Sequence, residues 1–241
     1  MKFDFFSNIK DFILDIIFPK KCLNCGKEGT FCCEDCFSLI SINPFEYCLC
    51  ENPQKLPNTG KCFHCEKKTL NGLYSATDFK QKIVKRLIHN LKYHQQIKEL
   101  SYPLSALILT HLYFVAKVFP IDSLLIPVPL FTKRKRRRGF NQAEEIGKII
   151  SEKINIQITT ENLIRIKNTK QQVGLSKNER EKNIKDAFTV KDKESIKNKI
   201  IILIDDVYTT GATMEECAKT LKKAGAKQVW GLTVAREINH Q

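Results

Sequence analysis

The stretch that most constrains this chain runs from Lys199 to Thr213, KIIILIDDVYTTGAT. Ile200 to Ile204 form an unbroken run of β-branched and leucine side chains. Such a run predicts a strand buried on both faces, and therefore a parallel sheet with helices on each side. It ends on Asp205 and Asp206, which alternation sends to opposite sides at the carboxyl end of the strand, where open α/β sheets bind their ligands. Thr209-Thr210-Gly211-Ala212-Thr213 follows, with small residues that let the backbone turn tightly and hydroxyls and N–H groups that can face an anion. A helix is expected from about Ala212 to Ala224, so its N-terminal amides and dipole fall where they favour a phosphate. The chain contains no GxxxxGK[ST] and no GxGxxG, so the P-loop and dinucleotide fingerprints are missing.

At 241 residues there is room for one full α/β domain and a small appendage. A formal charge of +14 implies a polyanionic partner, whether nucleic acid, phosphorylated substrate or anionic membrane, without choosing among them. Nine of the ten cysteines lie between Cys22 and Cys65. The segment before them carries Asp4, Asp11 and Asp15 and does not read as a signal peptide, so the cysteines are expected to be metal ligands in a reducing cytoplasm. Cys22-Leu-Asn-Cys25 and Cys33-Glu-Asp-Cys36 are two C-x2-C pairs whose thiolates can share one tetrahedral zinc, and a segment with so little core gains folding free energy from the metal. Cys32 is an alternative to Cys33, although only Cys33 keeps the spacing to Cys36. Cys48-Leu-Cys50 and Cys62-Phe-His-Cys65 form a less regular second group, because C-x-C constrains ligand geometry. His64 reads as an exposed loop residue rather than a ligand.

Phe5, Phe6, Ile9, Phe12, Ile13, Ile16 and Ile17 recur at helical spacing up to Pro19. Acids on the polar face of this helix argue for packing against protein rather than lipid. Leu73 to Phe79 is expected as a strand and Gln81 to Leu91 as a helix whose rim of Lys80, Lys82, Lys85, Arg86 and Lys92 reads as solvated surface, although a basic helix beside a phosphate site also fits. Tyr102 to Phe119 suits a buried helix, being too short and too polar for a membrane span, and no transmembrane segment is evident. Ser123 to Leu130 reads as a strand broken at Pro127 and Pro129, lying beside the Ile200 strand. Six consecutive cations, Lys133 to Arg138, repel one another and are expected to be mobile without an anion. A helix from Ala143 to Ile154, a core position for Cys217 and a closing strand from Gln228 to Arg236 complete the reading.

The Lys199 to Thr213 string resembles the 5-phosphoribosyl-1-pyrophosphate (PRPP) signature of type I phosphoribosyltransferases. The paired C-x2-C knuckles, LIHNLKY, LIPVPL, RRRGFNQA, QQVGLSKNEREKNIKDAF and LIDDVYTTGAT follow one another in the order seen in the ComF family of competence proteins, over nearly the whole chain. The resemblance implies a type I phosphoribosyltransferase-like parallel sheet flanked by helices, with a small N-terminal zinc-binding module. The corresponding division is an amphipathic helix at 1–20, a double-zinc-ribbon-like module at 21–70 and the phosphoribosyltransferase-like domain at 71–241. It implies that Asp205 and Asp206 hold the ribose hydroxyls, directly or through metal-bound water, and that Thr209, Thr210, Gly211, Ala212 and Thr213 cradle the 5-phosphate. Arg138, Gly139, Asn141 and Gln142 would face the pyrophosphate, and Gln172, Gly174, Leu175, Arg180 and Asn183 would belong to a mobile hood. Magnesium would serve as Lewis acid and template. Cys48-Leu-Cys50 departs from the family's usual C-x2-C. The implied role is a cytoplasmic factor of DNA uptake that binds single-stranded DNA, with Lys133, Arg134, Lys135, Arg136 and Arg137 as a non-specific phosphate surface and uptake machinery such as a helicase as partner. No element selects an acceptor, so transfer chemistry stays open. The competing reading is an orphan phosphoribosyltransferase for a small-molecule acceptor, with a purely structural zinc module.

Overall fold

A computed structural model describes residues 19–57, 60–93, 97–169 and 177–238. The helix expected over Phe5 to Ile17 and the hood positions Gln172, Gly174 and Leu175 lie outside the described residues. In chain order the elements are α1 (Glu34–Ser38), β1 (Gly72–Asp78), α2 (Lys82–Lys92), α3 (Ser101–Phe114), β2 (Leu124–Pro127), α4 (Thr132–Arg138), α5 (Gln142–Ile154), β3 (Gln157–Ile158), β4 (Leu163–Arg165), α6 (Lys177–Ile184), β5 (Phe188–Val190), β6 (Ile200–Tyr208), α7 (Ala212–Lys223) and β7 (Gln228–Arg236). Among the described residues no helix is long and apolar enough to cross a membrane.

The main sheet has the order β1-β7-β6-β2-β3 and is parallel throughout. β6 lies at its centre, where Ile202 pairs with Trp230 of β7 and Leu125 of β2. The unbroken apolar run is used on both faces, as the sequence predicts. Ile201 and Leu203 pack with Leu124, Ile126 and the α7 residues Met214, Cys217 and Leu221. Ile202 and Ile204 pack with α2, α3 and α5 through Leu87, Leu91, Leu104, Ile108, Ile146 and Ile150. Each such buried side chain contributes about 1.5–3 kcal/mol. β4 and β5 form a separate antiparallel pair that packs beside α7.

The strand does not stop before the acids. β6 continues to Tyr208, so Asp205 and Asp206 are set by sheet hydrogen bonding instead of hanging from a loop. The basic run also differs from the mobile segment expected: Thr132 to Arg138 is a helix. Lysine and arginine are good helix formers, the turns distribute their charges around the axis, and Gly139 at φ 75° ends the helix in a left-handed conformation.

The cysteine-rich segment joins the sheet in two ways. Ile42 forms an antiparallel bridge to Thr77, and Asn43 bonds Ala76 and Ser75, which covers the exposed edge of β1. His111 of α3 donates from Nδ1 to the Asn43 carbonyl at 2.7 Å, and burial holds this histidine below its ordinary pKa, in the neutral form. Farther along, Cys48, Leu49, Cys65 and Leu70 belong to the same core as β1, β6 and α7. Cys22, Cys33 and Cys36 make a small cluster of their own.

Candidate functional site

The alternation of β6 carries Asp206 to the α2 side of the sheet and Asp205 to the opposite side. Asp206 is buried, and its Oδ1 accepts an ion pair from Lys92 Nζ at 2.8 Å. Of the two readings of this basic rim, Lys92 therefore departs from the solvated surface, and it lines the cleft together with Lys85. Burial works against its ammonium, and Asp206 first and Asp205 second more than offset it, holding the lysine charged. Asp205 accepts the Asp206 N–H at 2.9 Å, and burial followed by the neighbouring Asp206 charge pushes its carboxyl up to about 7.

Beyond Tyr208 the chain makes the expected turn into α7. Gly211 stands at φ 79° and a Cβ there would collide with the Tyr208 ring, so this position needs glycine on both counts. Thr210 Oγ1 accepts from Ala212 N at 3.4 Å, and Thr209 Oγ1 accepts from Arg180 Nη1 of α6 at 3.0 Å. Thr209 to Thr213 thus sit together at the N-terminal turn of a 12-residue helix, where backbone amides without helical partners point outward.

A cleft of about 670 Å³ opens over the acids and the turn, and Lys92, Arg134, Arg138, Arg165 and Arg180 all reach its wall. Of the four residues expected to face a pyrophosphate, Arg138, Asn141 and Gln142 line the cleft, with Arg138 resting 5.0 Å over the Tyr93 ring. Asn141 caps α5 and bonds the Val128 carbonyl, while Gln142 accepts from Arg138 at 2.9 Å. Both are buried and hold the loop in shape. Gly139 is exposed at the end of α4, and Asn183 is half-buried on α6 outside the cleft wall. The cationic run divides by helical spacing. Arg134 and Arg138 turn into the cleft, whereas Lys133, Lys135, Arg136 and Arg137 are exposed and Lys135 pairs with Glu144 at 2.9 Å.

Both cysteine groups close. The sulfurs of Cys22, Cys25, Cys33 and Cys36 lie within 4.8 Å of one another, as do those of Cys48, Cys50, Cys62 and Cys65. Separations of 3.6 Å for Cys25–Cys33 and 3.5 Å for Cys50–Cys62 suit a tetrahedral zinc, whose roughly 2.3 Å bonds put sulfurs about 3.8 Å apart. Cys33, not Cys32, is the member of the first group, and burial pushes the Cys32 thiol up to about 11. Asn24 Nδ2 donates to Cys36 Sγ and Gln54 N to Cys48 Sγ, the outer hydrogen bonds that metal thiolates need. His64 is exposed and outside the group. We expect about two zinc ions per chain by metal analysis of protein purified without chelator; a content near one would mean that the C-x-C group binds none.

The second group is fastened to the strand ends that carry the cleft. Arg236, the last residue of β7, donates to the carbonyls of Cys48 at 2.5 Å and of Cys50. Lys68 donates to the Leu49 carbonyl at 2.6 Å and to the Tyr208 hydroxyl at 3.3 Å, and Tyr208 reaches the same carbonyl. Glu215 of α7 accepts from the amides of Thr69 and Leu70. None of Lys68, Tyr208, Glu215 or Arg236 stands out in the sequence. Their role comes from the meeting of segments far apart in the chain.

The profile of the phosphoribosyl transferase domain matches residues 101–238, more than half of the chain. The chain belongs to this family. Competence protein F of Haemophilus influenzae is 40% identical over 118 residues, which cover 48% of this chain and 52% of that protein. DNA utilization protein YhgH of Escherichia coli K12 is 33% identical over 150 residues, 61% of this chain and 65% of its own. Competence protein ComFC of Bacillus subtilis is 34% identical over 123 residues, 50% and 48% respectively. The alignments thus span about half to two thirds of these relatives. Within this phosphoribosyl transferase domain, the paired acids and the turn before α7 occupy the carboxyl edge of the sheet, the position that ligands take in such folds. Among the described residues, the two cysteine groups are the only clusters of three or more His, Cys, Asp or Glu that can hold a metal, and Asp205 and Asp206 are not part of a third.

Proposed function

We propose that the chain is a cytoplasmic protein of DNA uptake that binds PRPP in the cleft and single-stranded DNA on its basic face. The observation that carries the first part is the juxtaposition of Asp205 and Asp206 with the Thr209 to Thr213 turn, under a wall of cations. Carboxylates accept hydrogen bonds from sugar hydroxyls, the helix N-terminus receives a phosphate, and the arginines face the remaining charge. Names of the relatives, competence protein and DNA utilization protein, support the second part. So does the outward face of α4, where Lys133, Arg136 and Arg137 are exposed.

Asp206 Oδ1 is engaged by Lys92, so the acids offer a divalent ion little more than Asp205. That fits magnesium carried in by phosphate oxygens, since this ion is commonly held by one or two carboxylates plus the substrate. When bound with PRPP, magnesium would neutralise the diphosphate. The chain's own part is to orient the sugar through Asp205 and to fix the 5-phosphate on the turn. The domain division at 20/21 and 70/71 belongs to the same proposal.

Calorimetric titration of PRPP with magnesium tests the cleft. Asp205→Asn keeps the shape but loses charge and one acceptor, and should bind at least tenfold more weakly, about 1.4 kcal/mol. Equal affinity of wild type and variant would remove the sugar-orienting role. Anisotropy of a labelled single strand tests the face: changing Lys133, Arg136 and Arg137 to Gln should weaken binding and flatten its salt dependence. Release of pyrophosphate with one small acceptor, and no DNA binding, would favour the orphan transferase instead.

A further inference from the structure

α3 is apolar on every side. It carries no Asp, Glu, Lys or Arg between Ser101 and Phe114, and a helix of that kind is expected to be covered all round. Its inward side is covered: Leu104, Leu107, Ile108 and Leu112 are buried, and α3 packs on β1, β7 and α5. On the opposite side Tyr102, Ala106, Leu109 and Tyr113 recur at i, i+4, i+7 and i+11, one continuous stripe. Tyr102 is 66% and Tyr113 81% exposed, and Phe114 and Val118, also exposed, extend the patch past the helix end. Contiguous exposed apolar surface marks a contact face. At the other end of the stripe a hollow of about 390 Å³ lies between Tyr102 and Pro103 of α3 and Phe31 and Cys32 of the first cysteine segment. The described chain begins at its rim. Lys20 Nζ donates at 2.9 Å to Glu99, which lines the hollow, and the Lys20 carbonyl accepts from Gly29 N at 2.8 Å.

We propose that the segment Phe5 to Ile17 lies along this stripe as a helix antiparallel to α3, with its last turn in the hollow. Residues 1–18 lead into Pro19, which stands at the α3 N-terminus, so the segment traced backward from there runs toward the α3 C-terminus. Its apolar positions Phe5, Ile9, Phe12 and Ile16 repeat at the spacing of the stripe itself, i, i+4, i+7 and i+11. Both rows therefore span about 16 Å at a rise of roughly 1.5 Å per residue. In antiparallel register Ile16 meets Tyr102, Phe12 meets Ala106, Ile9 meets Leu109 and Phe5 meets Tyr113. A phenylalanine thus falls on the smallest side chain of the stripe, the knob and gap that close helix packing needs. Asp4, Asp11 and Asp15 stay together on one flank, in water. Docked there, the segment removes the patch from solvent and clamps the first cysteine group to α3.

Photo-cross-linking of the full chain tests the placement. Tyr113→p-benzoylphenylalanine should link within one chain to the tryptic peptide 3–10, and Tyr102→p-benzoylphenylalanine to the peptide 11–20, which Lys2, Lys10 and Lys20 delimit. Ile9→Lys and Leu109→Glu should each lower the melting midpoint by about 3 °C or more. Together they should recover about half or more of the summed loss, because opposite charges then face each other. Links between chains would give the stripe to a second copy, and exchanged peptides would make the helix parallel. Either overturns the proposal, as does the absence of any link to residues 1–18. So does wild type that sediments with phosphatidylglycerol vesicles and loses this with Ile9→Lys but not with Leu109→Glu, since the segment then lies on lipid. Should Leu109→Glu fail to fold, the cross-links, made from two exposed positions, decide the matter.

Discussion

Replacing Cys65 by serine is expected to lower the melting temperature by about 10 °C or more and to abolish measurable binding of phosphate ligands, whereas Cys22→Ser should leave the cleft working. Cys65 is 1% exposed inside the main core, and a metal held by its group would fix the loop whose carbonyls receive Arg236, Lys68 and Tyr208. Without the metal those carbonyls lose their positions, and the Arg236 guanidinium, in a residue 3% exposed, is left without acceptors. Stranding a buried charge costs about 3–5 kcal/mol, and each kcal/mol moves the midpoint of a domain this size by about 2–4 °C. Loss of a structural zinc adds to this, since its binding is coupled to folding. The first group meets α2, through contacts such as Arg86 Nη1 to Asn24 Oδ1 at 3.1 Å, and its cysteines form a cluster apart from the main core, so its loss should be local. Scanning calorimetry with and without chelator, paired with titration of ribose 5-phosphate, measures both halves. Similar melting and similar affinity for the two serine variants would show that the second group does not support the cleft.

Lys92→Met is expected to cost about 3–5 kcal/mol in denaturant unfolding, because Asp206 would remain buried with no cation beside it. The side chains of the pair are 21% and 8% exposed, so water cannot replace the ammonium. Adding Asp206→Asn to Lys92→Met removes the stranded charge and should return most of the stability, a coupling that a double-mutant cycle reads directly. A loss below about 1 kcal/mol for the single change would show that the pair contributes little. Failure of the double change to recover would place the damage in packing of the lysine stem instead.

The central strand, the turn and the helix after it were legible because each rests on a local rule. A run apolar on every residue has to be covered on both faces, and Gly211 followed by a helix leaves few ways to turn. The first cysteine group was legible from spacing for the same reason. Lys92 was not, because a lysine at the rim of α2 looks like Lys82 or Lys85 until the end of β6 is laid beside it. Arg165 was hidden by brevity: β4 has three residues, too few for a period, and its neighbours Ile164 and Ile166 suggest nothing but a strand. In the basic run the charges were plain and their division was not. Arg134 and Arg138 face inward only once the segment is helical, one turn apart. The C-x-C group closes because the loop between Cys50 and Cys62, 12 positions apart, brings the second pair back, and spacing within a pair does not reveal that.

The sheet order bears on how the chain is made. β7 is the last strand among the described residues, yet it lies between β1 and β6, and Val229 donates to Asn71 across 158 positions. On a ribosome, β1 emerges early and waits without its sheet neighbour until nearly all of the described chain has been translated. During that wait the apolar face of β1 and the open edge of β6 are both available to other chains. Nascent protein is therefore most exposed to aggregation just before its final strand appears, and any early stop that removes β7 divides the sheet down the middle instead of trimming its rim.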